Sequence, residues 1–143
     1  MLKNINKLVG PELLKILCEM GHGDEIVIAD GNFPSANLGK RVIRADGIGG
    51  AGILDAVMSL IPLDTYAEPN MILMNLTPSD EGKVNPTIWA EYEKIANEHD
   101  KNVKLGGIER NAFYERAKNA YAVIATGEKQ VYANIILKKG VIN

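Results

Sequence analysis

His22 stands between two glycines in Gly21-His22-Gly23-Asp24. An imidazole without bulky neighbours, with a reference pKa of about 6.5, suits the giving and taking of single protons near neutrality. The same four residues also read as a helix cap followed by a turn in which the ring bonds a carbonyl. Asp30 closes the run Glu25-Ile26-Val27-Ile28-Ala29-Asp30, and open α/β sheets bind ligands outside the carboxyl ends of their strands. A carboxylate there can accept bonds from several ligand hydroxyls, or it can serve an Asx-turn. Asp46 ends Arg41-Val42-Ile43-Arg44-Ala45-Asp46 and is a rival on the same grounds. Arg110, after the run Asn102 to Ile108, holds a similar rim position, or is an exposed charge. Tyr132-Ala133-Asn134 sets a phenol and an amide two residues apart, hence on one face of a strand, where they meet ligand hydroxyls or are ordinary surface residues. His99, in Asn97-Glu98-His99-Asp100-Lys101, reads as a solvated residue at a polar helix end.

Other chemistries lack their residues. Gly47-Ile48-Gly49-Gly50-Ala51-Gly52 has the glycine density of a dinucleotide loop, but no acidic residue follows at a second strand end. There is no phosphate-cradling Gly-x-x-x-x-Gly-Lys-Ser/Thr and no Gly-x-Ser-x-Gly nucleophile elbow. One cysteine and two histidines, at 18, 22 and 99, do not have zinc-ligand spacing.

The elements that must position these residues follow from periodicity. Leu13, Leu14, Leu17 and Met20 share a helical stripe opened by Pro11 and closed by Gly21. Cys18 on that helix reads as a small apolar filler. Glu25–Asp30 is a short β-branched run suited to a strand buried on both faces, and Arg41–Asp46 repeats the form across a turn-rich loop, residues 31–39. Ile53, Leu54, Val57, Met58 and Ile61 predict a second helix. Met71–Leu76 predicts a strand, Pro86–Glu98 a helix, Asn102–Ile108 a strand and Asn111–Ala120 a helix. Tyr121–Thr126 predicts a strand and Tyr132–Leu137 a final extended segment, joined to it by a hairpin-like turn at Gly127-Glu128-Lys129-Gln130. This alternation argues for one domain over residues 1–143, a three-layer α/β/α fold with a mostly parallel mixed sheet.

Composition sets the outer bounds. The chain has 143 residues, 16 Lys and Arg against 18 Asp and Glu, and a formal charge of −2, which favours no nucleic acid. Polar residues interrupt every apolar run before the roughly 18 residues of a membrane span. The N-terminus lacks the apolar core of a secretory signal, and a lone cysteine suits the reducing cytosol, so a cytoplasmic protein is expected.

Several blocks in order carry a resemblance: Gly21-His22-Gly23-Asp24-Glu25-Ile26, Ala29-Asp30, Asn32-Phe33-Pro34, Val42-Ile43-Arg44-Ala45-Asp46-Gly47, Phe113-Tyr114-Glu115-Arg116-Ala117, and Tyr132-Ala133-Asn134 running on to Gly140. Together they resemble the sugar mutarotase family that holds L-fucose mutarotases and D-ribose pyranases. Arg110 resembles the fucose branch, where the ribose branch carries a histidine. The resemblance implies interconversion of the α and β anomers of a monosaccharide, L-fucose for that branch, without metal or cofactor. It places His22 as catalytic acid/base and Asp30, Arg110, Tyr132, Ala133 and Asn134 as sugar-binding residues. It also implies a homo-oligomer, a ring-based decamer with sites at subunit interfaces. Pyranose–furanose exchange of the D-ribose pyranase type, or a non-catalytic sugar-binding accessory role, are the alternatives.

The spacing sets a geometric condition on that assignment. Five rises of about 3.3 Å put the ends of Glu25–Asp30 roughly 17 Å apart, too far for His22 and Asp30 to touch one small sugar. Either the Gly21–Gly23 connection folds back along the sheet or two subunits share a site, and the shared site is the expectation here.

Overall fold

A computed structural model describes all 143 residues. In chain order the elements are α1 Pro11–Glu19, β1 Glu25–Ala29, α2 Ser35–Leu38, β2 Val42–Ala45, α3 Gly50–Met58, β3 Met71–Met74, α4 Ile88–His99, β4 Leu105–Ile108, α5 Arg110–Asn119, β5 Ala122–Thr126 and β6 Ile135–Lys138. The six strands form one sheet in the order β2-β5-β1-β6-β3-β4. Five strands run the same way, and β6 lies antiparallel between β1 and β3.

The period of two along each strand divides the core. Ile26, Ile28, Ile124, Ile135 and Leu137 join the cluster under α1, α3 and α4, while Val27, Ala29, Val123 and Ile136 join Phe33, Phe113 and Ala117 under α2 and α5. Helices therefore cover both faces, as three layers require. Each buried Ile, Leu or Val side chain among them contributes about 1.5–3 kcal/mol relative to exposure. No helix is long and apolar enough to cross a membrane.

Four sequence expectations are corrected. The closing strands do not form a hairpin, because β1 lies between β5 and β6. Both neighbours of β5 are already β1 and β2, and Ile135, Ile136 and Leu137 are fully buried, which demands a central place for β6. The supposed turn instead crosses the end of β1, with the Gly31 N–H donating to the Glu128 carbonyl at 2.9 Å. Gly127 permits that crossing, since a Cβ there would lie 1.9 Å from the Asp46 carbonyl oxygen. Cys18 is exposed, because Leu13, Ile16 and Leu17 take the core face of α1 and position 18 is turned away from it. Residues 31–39 contain the single turn α2, and β4 is shorter than expected because the buried Asn70 side chain bonds Asn102 and Lys104 ahead of it.

The glycine-dense segment starts α3. The Glu128 carboxylate accepts from the Gly50 N–H at 3.0 Å and so occupies the anion position at that helix start with the chain's own charge.

Candidate active site

The antiparallel insertion of β6 builds the first half of the site. Its amino end lies at the edge where the other five strands end, and Ile135 pairs with Ile28, so Asn134 falls beside Asp30. The Asn134 amide accepts from the Asp30 N–H at 2.7 Å and donates to the Asp30 carboxylate at 3.0 Å. Both residues are buried, 5 % and 4 % exposed. The Asn32 N–H donates to the other carboxylate oxygen at 3.0 Å. Burial pushes the Asp30 carboxyl above the usual carboxylate range, against the bonds from the Asn32 and Ala133 N–H groups, the Asn134 amide and the Phe33 N–H.

Arg110 enters from the end of β4 as the first residue of α5, a helix capped by the Glu109 carboxylate, which accepts from the Asn111 and Ala112 N–H groups. Its Nε donates to the Tyr114 hydroxyl at 3.2 Å, and its guanidinium lies 5.3 Å from that ring's centre. Asp30, Arg110 and Asn134 thus share one cleft of about 160 Å³ with Asn32 and with the apolar surfaces of Phe33, Met74, Tyr114, Val131 and Tyr132. A polar floor between apolar walls can hold a small polyol: the carboxylate accepts, the guanidinium and amide donate, and the rings meet C–H surface.

Not every expected residue reaches the cleft as expected. Tyr132 and Asn134 precede β6 instead of sharing a strand face, because Tyr132 takes a left-handed backbone with φ 60°. The Tyr132 ring lines the cleft, but its hydroxyl bonds Thr77 and Asp80. Ala133 is fully buried and its carbonyl accepts from the Tyr92 hydroxyl at 2.9 Å. It reaches the site only through its N–H toward the Asp30 carboxylate. The rival Asp46 pairs with Arg44 in an exposed depression that adjoins the cleft through Asp30 and Phe33. His99 is not simply solvated: its Nε2 lies 2.7 Å from Asp55 and ties α4 to α3.

His22 stands at the opposite edge of the sheet. It precedes β1 as Asp64 precedes β3, while Lys139 follows β6 there and bridges Leu63. The His22 Nε2 lies 3.1 Å from the Asp64 carboxylate, and the Tyr66 ring packs 5.7 Å from the imidazole. Burial pushes the Asp64 carboxyl up, but the Tyr66 N–H, the bond and charge of His22 and the charge of Lys138 together hold it below its ordinary value. An ionised carboxylate only accepts, so the bond requires hydrogen on Nε2 and leaves Nδ1 as the nitrogen that can take a proton. No spacing in the sequence marks Asp64, which lies in a loop 42 residues on.

The turn bearing His22 is fixed at that edge. The Gly23 N–H donates to the Lys139 carbonyl at 2.8 Å, the Lys139 N–H to the Asp24 carbonyl at 2.9 Å, and the Lys139 ammonium to the carbonyls of Leu17 and Met20 that end α1. The connection does not fold back along the sheet. Within one chain the imidazole and the Asp30 cleft lie at opposite ends of β1, and the His22 side chain is 45 % exposed. No group of three or more His, Cys, Asp and Glu side chains is placed to hold a metal ion.

Comparison with known proteins matches residues 3–142 to the RbsD / FucU transport protein family. The fucose mutarotase of Mus musculus is 51 % identical over 99 % of this chain and 95 % of its own length. Among solved structures, FucU from Bifidobacterium longum has a TM-score of 0.94 at 52 % identity, covering 99 % of this chain and all of that one. The fucose mutarotase of Streptococcus pneumoniae, solved in complex with L-fucose, has a TM-score of 0.92 at 46 % identity over the same shares.

Proposed function

The chain belongs to the RbsD / FucU family, and on that premise we propose that it is a carbohydrate isomerase interconverting the α and β anomers of L-fucose. The observation that carries this reading is the cleft at the carboxyl edge, where a buried, prefixed Asp30–Asn134 pair and Arg110 face apolar walls. The likeness to proteins named fucose mutarotase over nearly the whole chain supports the substrate.

The reaction needs no electron transfer. One proton leaves the C1 hydroxyl, one arrives at the ring oxygen, the C1–O5 bond breaks to the open aldehyde, and rotation about C1–C2 before reclosure gives the other anomer. His22 carries one of these protons on Nδ1, held by its Nε2–H bond to Asp64, and water balances the other. Asp30, Arg110 and Asn134 hold the remaining hydroxyls so that opening and reclosure occur in one place. Assistance of this type is worth about 10²- to 10⁴-fold, sufficient for a reaction that already proceeds in water.

His22 from one subunit completes the cleft of another. The separation of the two half-sites supports this, as do the exposed Tyr66 beside His22 and Val131 beside the cleft, apolar surface next to each half-site. The assembly in this reading is a ring-based homodecamer in the cytoplasm.

Exchange NMR of α and β L-fucose, with D-ribose and D-galactose in parallel, tests the reading. Exchange above buffer is expected for the wild type with L-fucose and is lost in His22→Ala while sugar still binds. Binding without exchange in both proteins would identify a sugar-binding module instead.

A further inference from the structure

The Tyr132 hydroxyl is held by a loop that none of the site assignments includes. It donates to the Asp80 carboxylate, and it receives the Thr77 N–H at 3.4 Å and the Thr77 hydroxyl at 3.1 Å. A phenol has one hydrogen, and it is given to Asp80, so the Thr77 hydroxyl must be the donor to Tyr132. The Ser79 hydroxyl lies 3.0 Å behind Thr77 and can donate to it in turn, giving a chain Ser79, Thr77, Tyr132, Asp80 in which each bond polarises the next.

The other end of the residue is fixed as firmly. The Trp89 indole N–H donates to the Tyr132 carbonyl at 2.7 Å. Between the two anchors the backbone has φ 60°, a conformation bulky residues rarely adopt and which persists where surrounding contacts over-determine it. With its hydrogen and lone pairs committed to the loop, Tyr132 offers the cleft its ring. The sugar-facing donors and acceptors are then Asp30, Arg110 and Asn134, and the phenol is a wall.

We propose that Asp80 and Thr77 are positioning residues for sugar binding, which clamp the Tyr132 ring as a wall of the cleft. The proposal rests on the sugar-isomerase reading of that cleft. Asp80 is suited to a test because the turn it occupies is made by its backbone: its N–H donates to the Thr77 carbonyl at 2.9 Å and its own carbonyl receives Lys83 and Val84. Removing its side chain leaves those bonds in place.

The experiment measures kcat and KM for anomer exchange of L-fucose, and sugar affinity by NMR titration, in wild type, Asp80→Ala, Tyr132→Phe and the double variant. Loss of a charge-assisted bond that acts equally on ground and transition states raises KM with kcat nearly unchanged. Asp80→Ala should raise KM and the dissociation constant about tenfold, with kcat within about twofold. Added to Tyr132→Phe, it should have no further effect, because the shared oxygen is already gone. Thr77→Val, which removes a single donor, should move KM the same way by less and serves if Asp80→Ala does not fold. An unchanged KM in Asp80→Ala, or an effect of equal size in the Tyr132→Phe background, overturns the clamp while leaving the isomerase reading intact. A wild type that neither exchanges nor binds sugar overturns both.

Discussion

If two subunits share each site, two disabled proteins must repair one another when mixed. His22→Ala removes the proton carrier and is expected to lower exchange by about 10²- to 10⁴-fold. The imidazole is 45 % exposed and its removal leaves no cavity in the core. Arg110→Ala removes charged donors from the cleft at an exposed first-turn position of α5, and loss of one charged bond worth about 1.5–3 kcal/mol lowers kcat/KM by about 10- to 100-fold. The two residues lie at opposite edges of the sheet, so each variant retains one intact half-site. In co-refolded one-to-one mixtures a given interface receives His22 from one chain with probability about one half and Arg110 from the other with the same probability. About a quarter of sites are therefore wild type, whether the interface is two-fold or head-to-tail. The assay is exchange NMR at L-fucose well below KM, where a binding defect appears fully in the rate. Activity near a quarter of wild type, against a tenth or less for either parent, is the expected result. A mixture no more active than the mean of its parents, with mixed oligomers demonstrated by mass, would refute the shared site.

Other consequences follow from the same geometry. Asn134→Ala leaves the buried Asp30 N–H and one carboxylate oxygen short of a partner, at about 1–3 kcal/mol per orphaned group, so stability in urea should fall by about 2–6 kcal/mol, and a loss below about 1 kcal/mol would contradict the buried network. Asp64 has its folded pKa below the unfolded value of about 3.9, so its ionisation stabilises the fold above that pH and the contribution disappears as pH falls through the lower folded value. The stability difference between wild type and Asp64→Asn should shrink as pH falls below about 4; growth on acidification would reverse the assigned sign. Asp30 acts the other way: its raised pKa makes wild type lose stability relative to Asp30→Asn as pH rises from about 4 through the raised folded value, and a level difference across that interval would count against the burial effect.

The elements with strong local patterns were legible in the sequence. Glu25–Asp30 and Tyr121–Thr126 carry β-branched runs that make them strands wherever they are placed, and α1 and α4 carry clear apolar stripes. The partner of β6 was not legible, because a short apolar run fits a hairpin edge and a central antiparallel strand equally well until the full burial of both its faces is counted. That single placement decides the cleft, since it sets Asn134 against Asp30. Asp30 and Arg110 could be singled out by position at the ends of predicted elements, and Asn134 by its spacing of two from Tyr132. Asp64, Thr77 and Asp80 could not, because loop residues acquire their partners only through the fold and no periodicity marks them. Tyr132 misled for a related reason: its residue type suggested a free hydroxyl on a strand, and nothing local signals a left-handed turn in a tyrosine.

The two half-sites differ in kind, and the difference bears on how the reaction is arranged. Asp30 and Asn134 are bonded to each other and to backbone N–H groups before any ligand arrives, so their orientation is fixed during folding and costs little at binding. A rigid hydroxyl grip of this sort holds both ends of an opened chain close to where they parted, which favours reclosure over escape. His22, the proton carrier of the proposed reaction, has the opposite setting. Deep burial within one chain disfavours the charged form of an imidazole. Placing His22 on the exposed edge, with Nε2 anchored to an ionised Asp64, keeps the ring hydrated while fixing which nitrogen is available. In the proposed shared site a second subunit would cover the ring, so assembly, not folding, would close the site around it.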